Sequence, residues 1–301
     1  MNDKLFNHYF SCLEHHKDAV LDEFVHQLQY KFGESIASVI FYGSCLRSGV
    51  YLDAMLDFYV IVDNYRDAYK HLVPAIANKF LPPNVYYLQI EHNNSSYRAK
   101  YAVVSKTDLL KSVSESSFHS YFWARFTQPI GYTFIRDQDE KQWIANMQSL
   151  AARTFFKKVA PMLQEKAKSE EFWITGLQLT YSAELRTETS KRAITIYQSN
   201  QHHYDKVSKC IDTNQLLDNV IKSNRIIPKI SWKARIIIGK ILSVLRLMKA
   251  SITFANGVDY IAWKIERHTG EKVEITNNVR KHPWLFSWPV IFRLFRSGKI
   301  R

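Results

Sequence analysis

The 301-residue chain predicts an α/β (α+β) fold, with a mixed-sheet domain over residues 1–140 and a mainly helical domain over residues 141–301. Three observations carry this expectation. Short β-branched and aromatic runs alternate with helical stretches up to about Arg136, after which nearly every periodic segment has helical spacing. Apolar residues make up 46% of the chain and aromatics 14%, enough to fill one large core or two modest ones. Gly and Pro number only 9 and 8, and no low-complexity tract or internal repeat breaks the pattern, so most of the chain is expected to be ordered.

The elements follow in order. Leu5 to Lys31 has the period of one or two helices, with Gly33 as the C-cap. Ser38 to Tyr42 is a buried strand closed by Gly43-Ser44, and Met55 to Val62 is a second strand, apolar on both faces apart from Asp57. A helix over Tyr65 to Phe80 stops at Pro82-Pro83. Val85 to Ile90 and Ala99 to Val104 are two further strands, and Ser105-Lys-Thr-Asp108 serves as a capping box for a helix through Leu109-Leu110. Beyond Asp137, helices are predicted over Gln142–Lys168, Phe172–Arg186, Lys191–Tyr197, Asn214–Ile221, Ser231–Met248 and Gly257–Glu266, and only Lys272–Thr276 reads as extended.

Composition narrows the function. Cys12, Cys45 and Cys210 lie far apart with no CxxC spacing, which excludes a zinc knuckle and speaks against a disulfide framework. The adjacent pairs His15-His16 and His202-His203 point in divergent directions on a helix and are expected at the surface, sharing no metal. The first residues carry neither an apolar signal core nor an Arg-rich presequence, so a reducing cytoplasm is expected. The best candidate for a membrane span, Ile236 to Met248, is too short and is cut by Lys240 and Arg246. The net charge is +13, and from Lys229 to Arg301 there are about fifteen Lys and Arg against about four Asp and Glu. Such a segment suits a polyanion, either nucleic acid or an anionic lipid surface.

The chemistry gathers around one strand–turn–strand unit. Gly43-Ser44 ends a strand, and Asp57 stands on the next strand. Such a turn offers backbone N–H groups and a hydroxyl to the outer phosphates of a nucleoside triphosphate, while the carboxylate holds Mg²⁺ against them. Residues 38 to 63 resemble this layout in the polymerase-beta superfamily of nucleotidyltransferases. That superfamily usually carries Asp-x-Asp on the second strand; here Tyr59 stands in the second position, so another acid must complete the metal shell. Asp53 and Glu91 are the candidates. Cys45, beside the turn, reads as a small apolar filler.

Four stretches resemble one branch of that superfamily, the mitochondrial translocator-maintenance type of phosphatidate cytidylyltransferase. They are Tyr42-Gly43-Ser44 with Met55 to Val62, Ala99-Lys100-Tyr101 through Leu110, Ala124-Arg125-Phe126 through Pro129, and Leu179 through Glu184-Leu-Arg186. They occur in the family's order over roughly residues 36 to 200. Ala102 and Ala124 replace family glycines, Glu184 replaces an Asp, and the C-terminal quarter departs from the pattern. The resemblance implies a Mg²⁺-dependent transfer of CMP from CTP to phosphatidic acid, giving CDP-diacylglycerol and pyrophosphate. It places Tyr42, Gly43, Ser44 and Arg186 at bound phosphates and Asp57, Lys100, Arg125 and Glu184 in the catalytic constellation. Lys100 and Arg125 are then phosphate clamps, and Glu184 is a further candidate for the missing acid or for a base.

The chain ends in His282-Pro-Trp284 through Trp288-Pro-Val-Ile-Phe292-Arg-Leu-Phe295-Arg296, a short apolar helix flanked by basic and aromatic residues. This composition suits insertion at an anionic bilayer surface, which predicts a cytoplasmic protein peripheral to the inner face of the cell membrane, with no nucleic acid as partner. The alternatives are a nucleotidyltransferase acting on a protein, an RNA end or a small molecule, and a non-catalytic membrane or nucleic-acid binding module on a degenerate transferase fold.

Overall fold

A computed structural model describes residues 3–163, 167–184, 189–211 and 226–253. Two N-terminal helices come first, α1 (Lys4–Cys12) and α2 (Ala19–Phe32), each started by an aspartate, Asp3 and Asp18, whose carboxylate accepts from the first free amides. Then follow β1 (Ile36–Tyr42), α3 (Ser44–Ser48), β2 (Met55–Val62), α4 (Tyr65–Ala68) and α5 (Leu72–Phe80). The strands β3 (Asn84–His92) and β4 (Ser95–Ser105) lead into α6 (Lys106–Val113), α7 (Trp123–Phe126) and β5 (Gly131–Ile135). The remainder is helical: α8 (Gln138–Val159), α9 (Ser169–Ser182), α10 (Thr189–Ser199), α11 (Gln201–Cys210) and α12 (Ile226–Thr253).

The five strands form one mixed sheet in the order β3-β4-β2-β1-β5, which bears out the α/β class. Among the described residues, only β2 and β4 pair as parallel strands; the other three strand pairs are antiparallel. The two-residue period of β2 sorts its side chains. Leu56, Phe58, Val60 and Val62 face a core shared with Leu21, Phe24 and Leu28 of α2. Tyr59 and Ile61 face a second core that contains Trp123, Phe155, Trp173, Tyr204 and Trp232. That second core runs from Leu5 in α1 to Trp232 in α12, so residues on both sides of position 140 fill one interior. Phe156 stacks on Phe172 at 4.2 Å and Phe155 on Trp173 at 4.8 Å, pinning α8 to α9. The Trp173 indole N–H donates to Ser208 Oγ at 2.9 Å and brings in α11. Contacts of this kind add about 0.5–1.5 kcal/mol each beyond the area they bury.

Differences from the expected elements have local causes. The helix expected over Tyr65–Phe80 is two helices, α4 and α5. Pro74 lies in the first turn of α5, where a missing N–H costs nothing; in a continuous helix it would collide with the turn before it. The third and fourth strands extend to meet in a hairpin at Asn93-Asn94, both at positive φ (47° and 60°), the conformation that a tight two-residue connection demands. The short edge strand β5 and the helix α11 were not expected. With α11 comes a correction: His202 is exposed as predicted, but His203 is 9% exposed and turned toward α1, because neighbouring side chains on a helix diverge by about 100°. Ser105 caps α6 as predicted, accepting from the Asp108 amide at 3.2 Å. The helices expected over Asn214–Ile221 and Gly257–Glu266, the strand Lys272–Thr276 and the Trp-rich end lie outside the described residues. No helix among the described residues is long and apolar enough to cross a membrane.

A half-buried histidine contributes to the fold's pH dependence. His119 has its Nδ1 screened from solvent, and burial first, then Arg246 and Arg235, push its pKa down to about 4. The unfolded chain takes up this proton near pH 6.5, whereas the folded chain refuses it until about pH 4. The contribution is therefore complete above pH 6.5 and is lost on acidification, by at most about 1.4 kcal/mol per pH unit across that window. Denaturant titrations at a series of pH values are expected to show this slope in the wild type and a shallower one in His119→Gln.

Candidate functional site

Three adjacent strands bring the central residues together. Tyr42 of β1 pairs with Asp57 of β2, and Asp57 pairs with Lys100 of β4. Tyr42 is followed by Gly43 at φ 93° and ψ −154°, a conformation open essentially to glycine alone. A Cβ at this position would also lie 2.6 Å from Asp57 Oδ2. The turn thus needs glycine twice, for its backbone angle and for the approach of the carboxylate. The chain then enters α3, whose first N–H groups lack helical partners, and Ser44 is its exposed first residue.

Asp57 Oδ1 lies 2.9 Å from Lys100 Nζ. That oxygen is screened from solvent and has no aligned hydrogen bond among the described residues, so the ion pair is its compensation. Lys100 is more open, at 40% exposure of its side chain. Cys45 donates to the Met55 carbonyl at 3.3 Å, and burial, then the nearby Asp57 charge, raise its thiol. It is a buried filler, as the sequence suggested.

A second group of residues covers this face. Tyr59, fully buried two residues beyond Asp57, stacks against Tyr42 at 4.8 Å and packs at a tilt against Phe126 at 5.0 Å. Arg125 Nη1 donates to the hydroxyls of Tyr59 and Tyr121, both at 3.4 Å, while Nη2 reaches Glu184 Oε1 and Oε2 at 3.3 and 3.4 Å. Its guanidinium also sits 4.5 Å from the Tyr121 ring centre. Burial opposes the Arg125 charge, but Tyr59, Tyr121 and Glu184 outweigh it and hold the proton more firmly than usual. The Tyr42 hydroxyl is raised above the ordinary phenol range, by burial first and by Asp57 second, and stays a neutral donor.

Two arginines join the site that the sequence reading had not singled out. Arg246 of α12 lies 4.5 Å from the Tyr121 ring centre and donates through Nε to the Pro82 carbonyl at 2.9 Å. It is close enough to Arg125 and Glu184 for their charges to act on it, after burial, which lowers its pKa. Arg47 of α3 is within electrostatic reach of both Arg192 and Asp57. Gly239 lets α12 come this close: a Cβ there would lie 2.6 Å from the carbonyl of Ala183, the residue before Glu184. Arg47 was legible as the residue three beyond Ser44; Arg246 read only as a charge interrupting an apolar run.

The other predicted residues are placed as follows. Glu184 sits in the turn after α9 rather than on a helix, and engages Arg125. Asp53 occupies the exposed turn before β2 at φ 53°. Glu91 is on the edge strand β3, paired with Ser96, whereas Lys100, the partner of Asp57, pairs with Tyr87. Two strand spacings and four residues of offset separate Glu91 from Asp57 by roughly 16 Å, which removes Glu91 from a shared metal shell. Among the described residues, no convergent group of three His, Cys, Asp or Glu side chains includes Asp57, Asp53, Glu91 or Glu184. Arg186 lies outside the described residues. No protein-family model matches the chain, and no curated protein matches it.

The geometry of the turn can be tested without reference to activity. Gly43→Ala is expected to destabilise the fold by about 2–4 kcal/mol, through backbone strain and collision with Asp57. In an Asp57→Ala background only the backbone strain remains, so the two changes are expected to couple by more than about 0.5 kcal/mol in a denaturation double-mutant cycle. Additive effects would mean that Gly43 and Asp57 do not touch.

Proposed function

We propose that the chain is a Mg²⁺-dependent phosphatidate cytidylyltransferase, moving CMP from CTP to phosphatidic acid with release of pyrophosphate. The observation that carries nucleotidyl transfer is the Gly43 turn packed against Asp57, with Lys100 beside it. CTP and phosphatidic acid rest on the resemblance of the four sequence stretches. A glycine-only turn at the mouth of a helix, a carboxylate and an adjacent ammonium are the groups that a bound triphosphate needs.

The donor chemistry of Asp57 fits Mg²⁺. Its carboxylate already holds one cation, the Lys100 ammonium, at Oδ1, and Mg²⁺ is ordinarily held by one or two carboxylates with substrate phosphates completing the shell. A bound ion would neutralise charge on the triphosphate and on the leaving pyrophosphate. Around it, Lys100, Arg47, Arg125 and Arg246 outnumber the carboxylates Asp57 and Glu184 four to two. This excess offsets the repulsion between a triphosphate and a phosphomonoester. Glu184 and Tyr121 fix the Arg125 fork, so that little reorganisation is left for the reaction itself. Lys100 offers a point charge on a flexible stem. The acceptor phosphate oxygen, already anionic near neutral pH, attacks the α-phosphorus in line, and no protein nucleophile or base is required.

α12 supports attachment to a bilayer. At 100° per residue, Ile227, Ile230, Ile237, Ile241 and Val244 fall in one stripe roughly 100° wide, and all are exposed. The exposed Lys229, Lys233 and Lys240 run along its edge. Apolar insertion with flanking basic charge suits an anionic surface. A second reading, a non-catalytic binding module, is favoured by one observation: the buried, stacked Tyr59 fills the second acid's place.

The deciding experiment supplies radiolabelled CTP, Mg²⁺ and phosphatidic acid in mixed micelles. Label is expected to enter the lipid, and Asp57→Asn to reduce the rate more than about 10²-fold with the melting temperature unchanged. Label in RNA or protein instead would replace the acceptor. Nucleotide binding without transfer to any of the three would favour the binding module. Truncation after residue 283 is expected to weaken sedimentation with anionic liposomes more than it slows turnover of a short-chain soluble phosphatidic acid. Equal loss of both, with a lowered melting temperature, would assign that end to the core.

A further inference from the structure

Away from this site, α1 and α11 bring together three side chains of a different chemistry. His8 and Cys12 are four residues apart on α1, on one helix face, and His203 faces them from α11. His8 Nε2 lies 3.2 Å from His203 Nδ1, and Cys12 Sγ lies 3.6 Å from His8 Nδ1 and 4.0 Å from His8 Nε2. One ligand atom from each residue lies within 4.8 Å of the other two. Tetrahedral coordination with bonds of about 2.0 Å to nitrogen and about 2.3 Å to sulfur spaces the ligand atoms roughly 3.3–3.5 Å apart. Through His8 Nε2 the cluster has spacings of 3.2 Å to His203 and 4.0 Å to Cys12, so an inward turn of the exposed Cys12 side chain would bring it to that spacing.

We propose that His8, Cys12 and His203 form a site for a borderline-soft divalent transition metal of the zinc class, clasping α1 to α11. Its surroundings are those of a metal site. His203 Nε2 is 3.1 Å from the Thr127 carbonyl, an acceptor only, so Nε2 carries the ring proton and Nδ1 turns its lone pair toward the cluster. A ligating histidine is usually oriented in this way, by a backbone carbonyl on its other nitrogen. Both histidines are buried, which shields the cluster on the protein side. Cys12 is exposed, so water can enter on that side and complete a fourth position. Binding converts the Cys12 thiol to a metal thiolate and releases its proton to solvent.

The clasp also has a place in the architecture. The Thr127 carbonyl that orients His203 accepts from the Tyr9 hydroxyl as well, at 3.2 Å, and it directly follows α7, the helix bearing Arg125. A metal here would fix the N-terminal helix, α11 and the end of α7 relative to one another.

The test uses the full, tag-free chain stripped of metal with a chelator, then titrated with Co²⁺ and, separately, Zn²⁺. One equivalent of Co²⁺ is expected to give tetrahedral visible bands and a thiolate-to-cobalt charge-transfer band, and Zn²⁺ to displace it and raise the melting temperature. Cys12→Ser, at an exposed position, is expected to keep the circular dichroism spectrum, lose the thiolate band and weaken Zn²⁺ binding at least about 10-fold. His8→Gln is expected to weaken binding similarly. Absence of stoichiometric Co²⁺ binding by the wild type would overturn the proposal. So would a thiolate band that survives Cys12→Ser and disappears in Cys210→Ser. None of these readouts involves transferase activity, so they stand or fall separately from it.

Discussion

The parallel pairing of β2 with β4 is the constraint on which the candidate site depends. It sets Asp57 directly across from Lys100, while the antiparallel pairing of β1 with β2 sets Tyr42 against the same aspartate. Because side chains alternate along a strand, a slip of one residue in either pairing would turn Asp57 into the other core, among Phe24, Phe41 and Phe58. An unpaired carboxylate there would cost several kcal/mol. The apolar residues of β2 therefore fix the register, and the register fixes the chemistry. Gly43 completes the arrangement by removing the one atom that would push the carboxylate aside.

The second constraint is the cost of holding guanidinium groups in a largely aromatic wall. Arg125 side-chain exposure is 16%, and Arg246 is close by. Two like charges at short range in a poorly solvated place repel, and the wall answers with tyrosine. Tyr121 offers its ring to both and its hydroxyl to Arg125, and Tyr59 and Glu184 supply further oxygens. Asp57 is taken up by Lys100, and Glu184 alone cannot balance both guanidinium groups. The remaining positive potential is therefore available to an incoming polyanion, and in a site shielded from water it acts at higher strength than on the surface.

Much of the frame was legible in the sequence, because strand cores and caps are local. The strand Met55–Val62 matches to the residue, since an apolar run with a single charge has few other uses. Ser105 and Gly33 were readable as helix boundaries for the same reason. What the sequence did not expose depends on contacts distant along the chain. β5 is five residues long and gains its identity only by pairing with β1. His203 looked like surface because its neighbours are polar; what buries it is α1, nearly two hundred residues away. Arg246 looked like an interruption in an apolar helix until α12 proved to cross the mouth of the site. Glu91 failed for the converse reason: its strand end seemed suitable, but strand offset carries it far from Asp57.

The core shared by both halves bears on how the proposed reaction would meet its lipid. α12 contributes Trp232, Arg235 and Gly239 to its inner face, and Arg246 follows on the same side. On a helical wheel Arg246 falls roughly 150° from the centre of the exposed isoleucine stripe. One helix therefore carries both surfaces, with the apolar stripe outward and the cation inward. A helix with its side chains is about 10–12 Å thick. If the stripe rests at the level of lipid headgroups, Arg246 and the Tyr121–Arg125 pair lie about one helix diameter from that level. A phosphatidic acid phosphate would then need to rise by about that distance to reach the positive wall, drawing up the first segments of its acyl chains while the rest stay in the bilayer. Extraction of the whole lipid, which exposes about 0.8 kcal/mol of hydrocarbon per CH₂, would not be required. The burial of Trp232 against the common core keeps this spacing fixed, since α12 cannot rock outward without opening the interior that holds Trp123 and Phe155.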